Sequence, residues 1–420
     1  MNNDLSLNDA WMTWQQFNKV IQGKNIIFFG VSFDWTEKTY AKSSLNLSYF
    51  VDNSPGWIGT KYNGIDVKNP EILKKRDNNT YVVITSGAYE SICYQLLDFG
   101  LKPGIDFCMT PALNNLRIIS EIHSHKATLL VSSPDHAIYS QLDKGKNIGG
   151  GLYTYKIDTF ECEKVLDGTF HQIVNAREGY YVVDEFMGIC HISKNFKLID
   201  SFGLEQGGKP HGVAYCPQRN IVFIAQTSLD RVSAYDADSK KKLFDIRLSG
   251  KTENTGRSHH WMNDLHVRGD YLYISLFSIS GCRMEGITDG GVLQVNIDDP
   301  SKRYVIMQNL WMPHTVRFFD SELCVLDSMN GKFYKTDKLV HGEFYGFIRG
   351  LGFDGSYYYI GQSETRYFDR LKGIKNNIGM SAGFYLFDGE SKASKFFSIP
   401  QIHQVHDLCV ISGDSYSSIH

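Results

Sequence analysis

The chain has 420 residues, with 43 Lys and Arg against 46 Asp and Glu, and a formal net charge of -3 at pH 7. So balanced a charge excludes a basic groove for nucleic acid and a basic face for a membrane, and neither partner is expected. Eight cysteines occur without a CxxC pair, a usage typical of reduced thiols, which predicts a cytoplasmic protein.

The first third of the chain predicts a small α/β unit. Residues 1–24 contain no uninterrupted apolar segment, so they predict a short amphipathic helix and neither a signal peptide nor a transmembrane span. Three apolar runs, 26–30, 47–52 and 81–86, are predicted strands, and a helix is predicted to follow the third through Leu97. Alternation of this kind predicts a parallel sheet.

Gly30 and Asp52 lie where a dinucleotide-binding fold has its first glycine and its ribose-binding acid. Residues 30–34 read GVSFD and contain no second or third glycine, which disfavours close approach of a pyrophosphate and therefore NAD as a cofactor. Two interpretations of Asp52 and Asn53 stay open. They contact a sugar or nucleotide, or they end a strand and begin a turn.

Several motifs of this region resemble a known group of domains. They are residues 49–53 (YFVDN), Gly59, Gly64, Val67 and Pro70, and residues 82–86 (VVITS). Together they resemble the small Rossmann-like domains attached to bacterial surface-sugar enzymes, including the N-terminal domains of sugar O- and N-acyltransferases. The resemblance covers about 23–111 and implies a Rossmann-like fold.

From about residue 118 the pattern changes to short strands separated by turns, and it repeats. Each repeat opens with a polar residue, any residue and an aliphatic residue, and a second strand begins about nine residues later. The opening residues are His171, His211, Asn263, His314, Arg349 and His406. Spacings of about 35 to 57 residues fit one four-stranded propeller blade per repeat.

The last repeat predicts how the ring of blades closes. His406 lies too near the C-terminus for a following strand, whereas residues 128–166 contain strands without an opening unit. The C-terminal strand is therefore predicted to be the innermost strand of the blade that begins near Thr128, which leaves no sheet edge exposed. The predicted architecture is a small α/β Rossmann-like domain at 1–117 and an all-β six-bladed β-propeller at 118–420.

The six opening residues are predicted to form one ring, because the first strand of every blade lines the central axis. A buried polar group without a partner costs about 1–3 kcal/mol, so six in one channel favour a functional site. His171, His211, His314 and His406 are predicted metal ligands, since imidazole suits a divalent transition metal such as Zn, Mn, Fe or Ni. Arg349 is predicted to hold a carboxylate or phosphate. Alternatively, the ring side chains bond to each other and to water and plug the channel.

The ends of the second strands are predicted to reach the same face as the ring, because first and second strands are antiparallel. The side chains expected to converge there are Asp184 with Glu185, Gln226, Asp327, and Gln362 with Glu364. Asp184 and Asp327 are predicted catalytic proton carriers, with turn formation as the alternative. Gln226 and Gln362 are predicted substrate contacts. Three long insertions, 133–150, 278–290 and 363–379, leave from this face and predict further substrate contacts or a lid.

The segment before the third repeat adds further candidates. His260 is predicted to be catalytic. His259, Trp261 and Asn263 are predicted to bind substrate, with the indole as a stacking surface for a sugar ring or other flat ligand.

Four strings carry a second resemblance. They are residues 257–265 (RSHHWMNDL), 312–317 (MPHTVR), 348–353 (IRGLGF) and 359–363 (YIGQS). They resemble a bacterial family of conserved hypothetical six-bladed propeller proteins, a domain of unknown function without an assigned activity. More distantly, the region is similar to gluconolactonases and senescence-marker lactonases, whose channels hold a divalent metal through Glu, Asn and Asp. The histidines depart from that set and are closer to oligogalacturonate lyase, which implies a transition metal.

These observations lead to one expected function and two alternatives. We expect a metal-dependent lyase, epimerase or hydrolase that acts on an acidic sugar or related anionic small molecule, in surface-polysaccharide metabolism. One alternative is a metal-free lyase that uses the histidines as acid and base. The other is a non-catalytic ligand-binding or scaffold propeller, so enzymatic activity itself stays open, as do protein partners and a homo-oligomer. No GxSxG elbow of a Ser-His-Asp hydrolase is present.

Overall fold

A computed structural model of the protein describes residues 7–135, 149–371 and 377–413. The chain divides into two compact units, Met1–His123 and Ser124–His420. The domain boundary predicted between residues 117 and 118 falls inside the helix Asn114–Ser124. Within the described ranges, no helix is both long and apolar enough to cross a membrane.

The first unit contains one mixed sheet with helices. Its strands are β1 (Asn25–Phe29), β2 (Asn46–Val51), β3 (Lys61–Tyr62), β4 (Ile65–Lys68), β5 (Thr80–Ile84) and β6 (Phe107–Met109). Its helices are α1 (Trp14–Val20), α2 (Phe33–Ala41), α3 (Tyr89–Asp98) and α4 (Asn114–Ser124), with short 3-10 helices at Leu7–Ala10, Pro70–Lys75 and Pro111–Leu113. The strand order is β3-β4-β2-β1-β5-β6. Only β3 and β4 pair antiparallel in this sheet.

Strand β1 explains why the predicted runs are apolar throughout. Ile27 and Phe29 pack into one core cluster, and Ile26 and Phe28 pack into another. A strand buried on both faces has no polar alternate positions. The three predicted strands and their parallel pairing are confirmed as a small α/β unit; the hairpin β3-β4 and strand β6 were not predicted.

The structure gives Asp52 a local role. Its carboxylate accepts hydrogen bonds from the backbone N–H groups of Val31 at 2.8 Å and Ser54 at 2.8 Å. Gly30 has a φ of 103°, and a Cβ there would lie 2.5 Å from the Ser86 Cβ. The bond from Ser54 begins the turn after β2, as the turn interpretation of Asp52 expects. Gly30 and the bond from Val31 to Asp52 shape the turn after β1.

The second unit is a six-bladed β-propeller built from six four-stranded sheets. From the innermost strand outwards, the blades are β10 (Phe170–Asn175), β11 (Tyr180–Asp184), β12 (Gly188–Ile192), β13 (Leu198–Phe202); β14 (Pro210–Cys216), β15 (Ile221–Gln226), β16 (Arg231–Asp236), β17 (Lys242–Arg247); β18 (Met262–Arg268), β19 (Tyr271–Leu276), β20 (Gly290–Asn296), β21 (Arg303–Leu310); β22 (Pro313–Phe319), β23 (Glu322–Asp327), β24 (Lys332–Tyr334), β25 (Val340–Glu343); β26 (Phe347–Phe353), β27 (Tyr358–Ser363), β28 (Gly383–Phe387), β29 (Ser394–Ser398); and β30 (Asp407–Gly413), β7 (Ala127–Ser133), β8 (Gly151–Lys156), β9 (Cys162–Asp167). Helix α5 (Lys251–Thr255) and 3-10 helices at Thr227–Leu229, Arg283–Glu285 and Phe368–Arg370 lie in its loops.

The C-terminal strand closes the propeller, as predicted. Strand β30 pairs antiparallel with β7, with Asp407 opposite Ser132. The main apolar clusters lie between neighbouring blades; one, for example, joins Phe223 of the second blade to Leu272 of the third. Packing between sheets and closure of the ring therefore hold the strands around the axis.

A β-bulge interrupts the innermost strand of five blades near its start. The ladder shifts between Phe170 and Ile173 in β10, and at the matching places in β14, β18, β22 and β26. A bulge releases residues from the ladder and bends the strand. Each shift includes the opening residue of the repeat or the residue after it. The side chains of these two residues therefore need not point to opposite faces of the sheet.

Candidate active site at the propeller axis

The six predicted ring residues line one cavity at the axis. The structure brings together His171, His211, Asn263, His314, Arg349 and His406, which we call the polar ring. The rest of the wall is formed by Pro134, Glu185, Trp261, Phe277, Phe347, Arg366, Tyr367 and Gln404. The cavity encloses about 530 Å³ between protein atoms, including space open to solvent.

The histidines of the polar ring are in mutual contact. The ring centroid of His171 lies 4.4 Å from that of His211 and 4.7 Å from that of His406. His314 lies 5.9 Å from His406 by the same measure. His211 is partly exposed, whereas the other three histidines are buried.

A second polar layer occupies the next position of each innermost strand. We call its four polar members, Gln172, Asp264, Thr315 and Asp407, the polar floor. The Gln172 side chain accepts from the N–H groups of Val213 at 2.9 Å and Leu265 at 2.8 Å, and donates to the Leu265 carbonyl at 2.7 Å. Such bonds tie the innermost strands of three different blades together.

The rest of the polar floor is bonded in the same way. Asp407 accepts from the Ile173 N–H at 2.9 Å and forms a buried ion pair with Arg317. Thr315 donates its N–H to Asp264, and its hydroxyl accepts from the Gly350 N–H at 3.0 Å. These bonds tie the innermost strands together below the ring. The alternative in which the ring side chains plug the channel stays open.

Two glycines allow the innermost strands to approach one another. Gly350 has a φ of 78°, and a Cβ there would lie 2.7 Å from the Asp407 Cα. A Cβ on Gly212 would lie 2.0 Å from the Asn263 carbonyl oxygen. Larger residues at these two positions of the repeat would push the strands apart.

A chain of hydrogen bonds links floor and ring. Asp264 Oδ1 lies 3.2 Å from His406 Nε2, and His406 Nδ1 lies 3.2 Å from His171 Nδ1. An ionised Asp264 can only accept, so His406 carries its proton on Nε2 and accepts through Nδ1. His171 must then carry its proton on Nδ1. Its Nε2 is left with a free lone pair.

The histidines of the polar ring are held neutral by their surroundings. Burial lowers the pKa of His171 to about 3, and burial holds the pKa values of His211, His314 and His406 well below the usual range. The positive charge of Arg349 acts in the same direction on all four. Burial raises the pKa of Asp264 to about 6, so this carboxyl is ionised at neutral pH.

Hydrogen bonds also decide which nitrogens a metal could use. His314 Nδ1 lies 3.0 Å from the Met312 carbonyl, which can only accept, so Nδ1 carries the proton. His211 Nδ1 lies 3.0 Å from the Thr227 hydroxyl, and both nitrogens of His406 are engaged in the chain described above. Among the described residues, no group of three or more His, Cys, Asp or Glu is arranged to hold a metal ion. The predicted metal centre stays a prediction.

Arg349 is 5% exposed, and its hydrogen bonds go to uncharged groups. Its Nε and Nη2 donate to the Ser363 hydroxyl at 3.2 and 2.7 Å, and Nη2 donates to Gln404 Oε1 at 3.1 Å. Within residues 7–135, 149–371 and 377–413 it forms no ion pair with a carboxylate. Burial, with the nearby charge of Arg366, lowers the Arg349 pKa to about 10.

Three polar atoms of the cavity wall are buried without a hydrogen-bond partner in the described structure. They are His171 Nε2, Asn263 Nδ2 and Gln404 Nε2. The nearest carboxylate oxygen to His171 Nε2, Glu185 Oε2, lies 3.7 Å away, beyond hydrogen-bonding distance. Native proteins leave few buried polar atoms unpaired, so such a cluster indicates a place for a ligand or ordered water.

Four predicted site residues do not line the cavity. Asp184 accepts from the N–H groups of Thr169 at 2.7 Å and Phe186 at 2.8 Å, and Asp327 accepts from that of Trp311 at 3.0 Å. The amides of Gln226 and Gln362 donate to the carbonyls of Gly203 and Ser381, both at 2.8 Å. Convergence of these side chains on the ring is therefore wrong. Hydrogen bonds to the loops at the strand ends turn all four away from the axis.

His259 and His260 also lie outside the cavity wall, whereas Trp261 lines it. His259 Nε2 lies 2.9 Å from the Thr255 hydroxyl, and His260 Nδ1 lies 2.9 Å from the Ser278 carbonyl. The other nitrogen of each ring, His259 Nδ1 and His260 Nε2, is buried without a hydrogen-bond partner in the described structure, so the roles expected of these two histidines stay predictions.

Asp230, which sequence reasoning missed, holds this segment in place. Its carboxylate accepts from the N–H groups of His259 at 2.5 Å and Trp261 at 3.1 Å, and from the Ser258 hydroxyl at 2.7 Å. Trp261 is thereby kept at a φ of 54°. Nothing in the local sequence marks Asp230, because its partners lie about 30 residues further along the chain.

The long insertions are only partly visible at the site. Residues 278–290 are described, and the Arg283 guanidinium lies over the Trp261 ring at 4.3 Å. In the other two insertions, residues 136–148 and 372–376 lie outside the described residues. Arg366 and Tyr367 of the third insertion line the cavity, as does Gln404, which the sequence could have offered as a polar neighbour of His406.

Comparisons with known proteins match part of the chain to a domain of unknown function. A family model described as "Domain of unknown function (DUF4915)" matches residues 271–419, less than half of the chain. No curated protein matches. Among solved structures, the chain is similar to one titled "Crystal structure of Nidogen/Laminin Complex", with 13% identity, 68% of this chain and 98% of that chain covered, and a TM-score of 0.48. It is also similar to a protein of unknown function from Bacteroides caccae, with 12% identity, 68% and 99% covered, and a TM-score of 0.45.

The resemblance to a family without an assigned activity is thus confirmed at the level of a domain of unknown function and a six-bladed propeller. The distant relations to gluconolactonases and oligogalacturonate lyase stay predictions. Any function has to be inferred from the cavity.

Proposed function

We propose that the propeller is an enzyme acting on an anionic small molecule such as an acidic sugar, with Arg349 binding its carboxylate and His171 acting as general base. One observation carries this proposal. A buried guanidinium without a carboxylate partner among the described residues lines the same cavity as the unpartnered His171 Nε2.

The case for an anion rests on the free energy of a buried charge. An unpaired ion inside a protein costs several kcal/mol, and a partner of opposite charge compensates for it. A carboxylate suits a guanidinium because two oxygens can accept two N–H groups. Asn263 Nδ2 and Gln404 Nε2 supply further donors, and the Trp261 ring supplies a flat surface for a sugar.

The case for His171 as a base rests on its tautomer and on Arg349. The hydrogen bonds through His406 leave its Nε2 unprotonated and aligned by Asp264. The low pKa of His171 makes it a weak base in the empty cavity. A bound carboxylate offsets the charge of Arg349, which raises the basicity of His171 when substrate is present.

This arrangement suits removal of a proton from the carbon next to the carboxylate. His171 Nε2 takes the proton, and the C–H electron pair moves into the carboxylate, whose growing charge Arg349 stabilises. In elimination, the electron pair returns to form a C=C bond, and the leaving group departs from the next carbon with its bonding electrons and takes a proton from water. In epimerisation, water returns a proton to the other face of the same carbon. This step needs no metal, so the proposal takes the acid-base form of the prediction.

The proposal is tested by proton exchange in D₂O. Glucuronate, galacturonate, mannuronate and iduronate are incubated with the protein, and NMR follows deuterium at the carbon next to the carboxylate. We expect exchange with at least one of them, lost in His171→Asn and in Arg349→Gln. His191→Asn, outside the cavity, should behave as wild type.

The outcomes separate the candidate functions. Exchange that survives His171→Asn contradicts the base assignment. Saturable binding that depends on Arg349 without any exchange favours the ligand-binding alternative. If none of the four acids shows binding or exchange, the proposal is contradicted. Stoichiometric transition metal in the purified protein, lost in His314→Ala, would establish the metal-dependent form instead.

A further inference from the structure

A second cavity opens beside the first, and Phe277 lines both. Its other wall residues are Arg283, Met284, Gly286, Thr288, Trp311 and Arg370. It encloses about 890 Å³ between protein atoms, including space open to solvent. The Arg283 guanidinium lies 4.3 Å from the centre of the Trp261 ring, and Trp261 lines the first cavity. The two cavities therefore share a wall.

Two arginines line this second cavity, and its described wall residues include no Asp or Glu. Arg283 Nη1 donates to the Ser258 carbonyl at 3.4 Å, and Arg370 Nη1 lies 3.3 Å from the Met312 sulfur. In the part of the chain that the structure describes, neither forms an ion pair. Burial and the charge of Arg370 lower the pKa of Arg283. Two neighbouring guanidiniums repel each other, and an anion between them would reverse that repulsion.

A pair of arginines lines each of the two cavities. Arg349 and Arg366 line the first cavity, Arg283 and Arg370 line the second, and in each pair one guanidinium lowers the pKa of the other. Trp311 adds an aromatic surface to the second cavity. One ligand that reaches past Phe277 can place an anionic group in each.

We propose that the second cavity binds a second anionic group of the same ligand, so that the ligand is an acidic sugar with a further phosphate or carboxylate group. This inference rests on the proposed function, because the first anion is the one that Arg349 holds. It adds Arg283, Arg370 and Trp311 as residues that decide specificity.

Calorimetric binding of three probes tests it. Glucuronate carries one anion, glucuronate 1-phosphate adds a phosphate, and a linked diglucuronate adds a second carboxylate. We expect at least one two-anion probe to bind ten-fold or more tightly than glucuronate. In Arg283→Gln/Arg370→Gln the advantage should fall below three-fold, and Arg283→Lys should retain part of it.

Arg268→Gln is the matched control, because this exposed arginine lies over the Phe318 ring and outside both cavities. Its affinities should equal those of wild type. Equal affinity for all three probes, with glucuronate binding still dependent on Arg349, would overturn the second site and leave the proposed function intact.

The reverse result is also distinguishable. If binding of the two-anion probes is lost without Arg283 and Arg370 but is unchanged in Arg349→Gln, the result would support the second cavity and contradict the proposed function. No binding of any probe would overturn both.

Discussion

The polar ring and the polar floor occupy neighbouring positions of the same strands, yet they differ in how their polar atoms are satisfied. Gln172 and Asp407 of the floor are bonded to backbone or charged groups of other blades. In the ring, His171 and Asn263 keep buried atoms without partners, and Arg349 forms no ion pair within the described structure. Burial of polar groups alone therefore does not mark a functional site. Within the cavity, the unpaired atoms indicate a place for a ligand or ordered water.

The largest effect on stability is expected at the floor. Asp407→Asn leaves Arg317 without its buried ion pair, so the free energy of unfolding should fall by about 3 kcal/mol. Urea unfolding of the propeller measures it. Asp270→Asn, which removes an exposed ion pair with Arg219, is the control and should cost less than about 1 kcal/mol. Equal losses in the two variants would remove the distinction between floor and surface.

The pH dependence of stability should reveal the neutral histidines of the ring. His314 has a pKa well below 6.5 in the folded state. As pH falls below about 6.5, the unfolded chain therefore binds a proton that the folded chain does not. Each such group lowers the free energy of unfolding by up to about 1.4 kcal/mol per pH unit.

His314→Asn removes one of these protons, so its stability should fall less steeply between pH 6.5 and 5 than that of wild type. Asn263→Ala changes the ring without removing a titratable group and should keep the wild-type slope. Urea midpoints across this pH range measure both. An unchanged slope in His314→Asn would contradict a neutral His314 in the folded protein.

Arg349 should contribute to binding and not to stability. Arg349→Met removes a buried charge that forms no ion pair with the described residues, so the free energy of unfolding should stay the same or rise by about 1 kcal/mol. Glucuronate binding should be lost. If Arg349→Met lowers the free energy of unfolding as much as Asp407→Asn does, the claim that the floor stabilises the propeller and Arg349 does not is contradicted.

The smallest change in stability is expected for Asp264→Asn, whose free energy of unfolding should stay within about 1 kcal/mol of wild type. The effect of this variant should be a change in the tautomers of His406 and His171. The Thr315 N–H is a fixed donor, so the new amide must turn its oxygen there and its NH₂ towards His406 Nε2. His406 then protonates on Nδ1. His171 is forced to carry its proton on Nε2, where it can no longer act as a base.

Nitrogen NMR of ¹⁵N-labelled histidines reads these tautomers directly. Wild type should show His171 protonated on Nδ1 at neutral pH. Protonation of Asp264 below about pH 6 should produce the same switch as Asp264→Asn, since its pKa is raised to about 6 by burial. Unaltered His171 signals in the variant would show that Asp264 is not a positioning residue for the base.

Local pattern was enough to predict the blades, their closure and the ring. Strands alternate with period two, and the first strand of a blade must lie at the axis, so matching positions of a repeat meet wherever the repeat is found. His171 and His406 could be aligned in this way without knowing any contact between them. The same reasoning failed for Asp184 and Gln226, because their side chains form hydrogen bonds with backbone groups of loops.

The contacts that suggest a function depend on the whole ring. Asp264 meets His406 across 142 residues of sequence, and the bulges that turn floor residues inward are not visible in an alternating pattern. Whether Arg349 has an acid nearby depends on where every carboxylate of the propeller lies. A sequence states which groups are available, but only the closed propeller determines which polar atoms are left without a partner, because hydrogen bonding between blades is a property of their assembly.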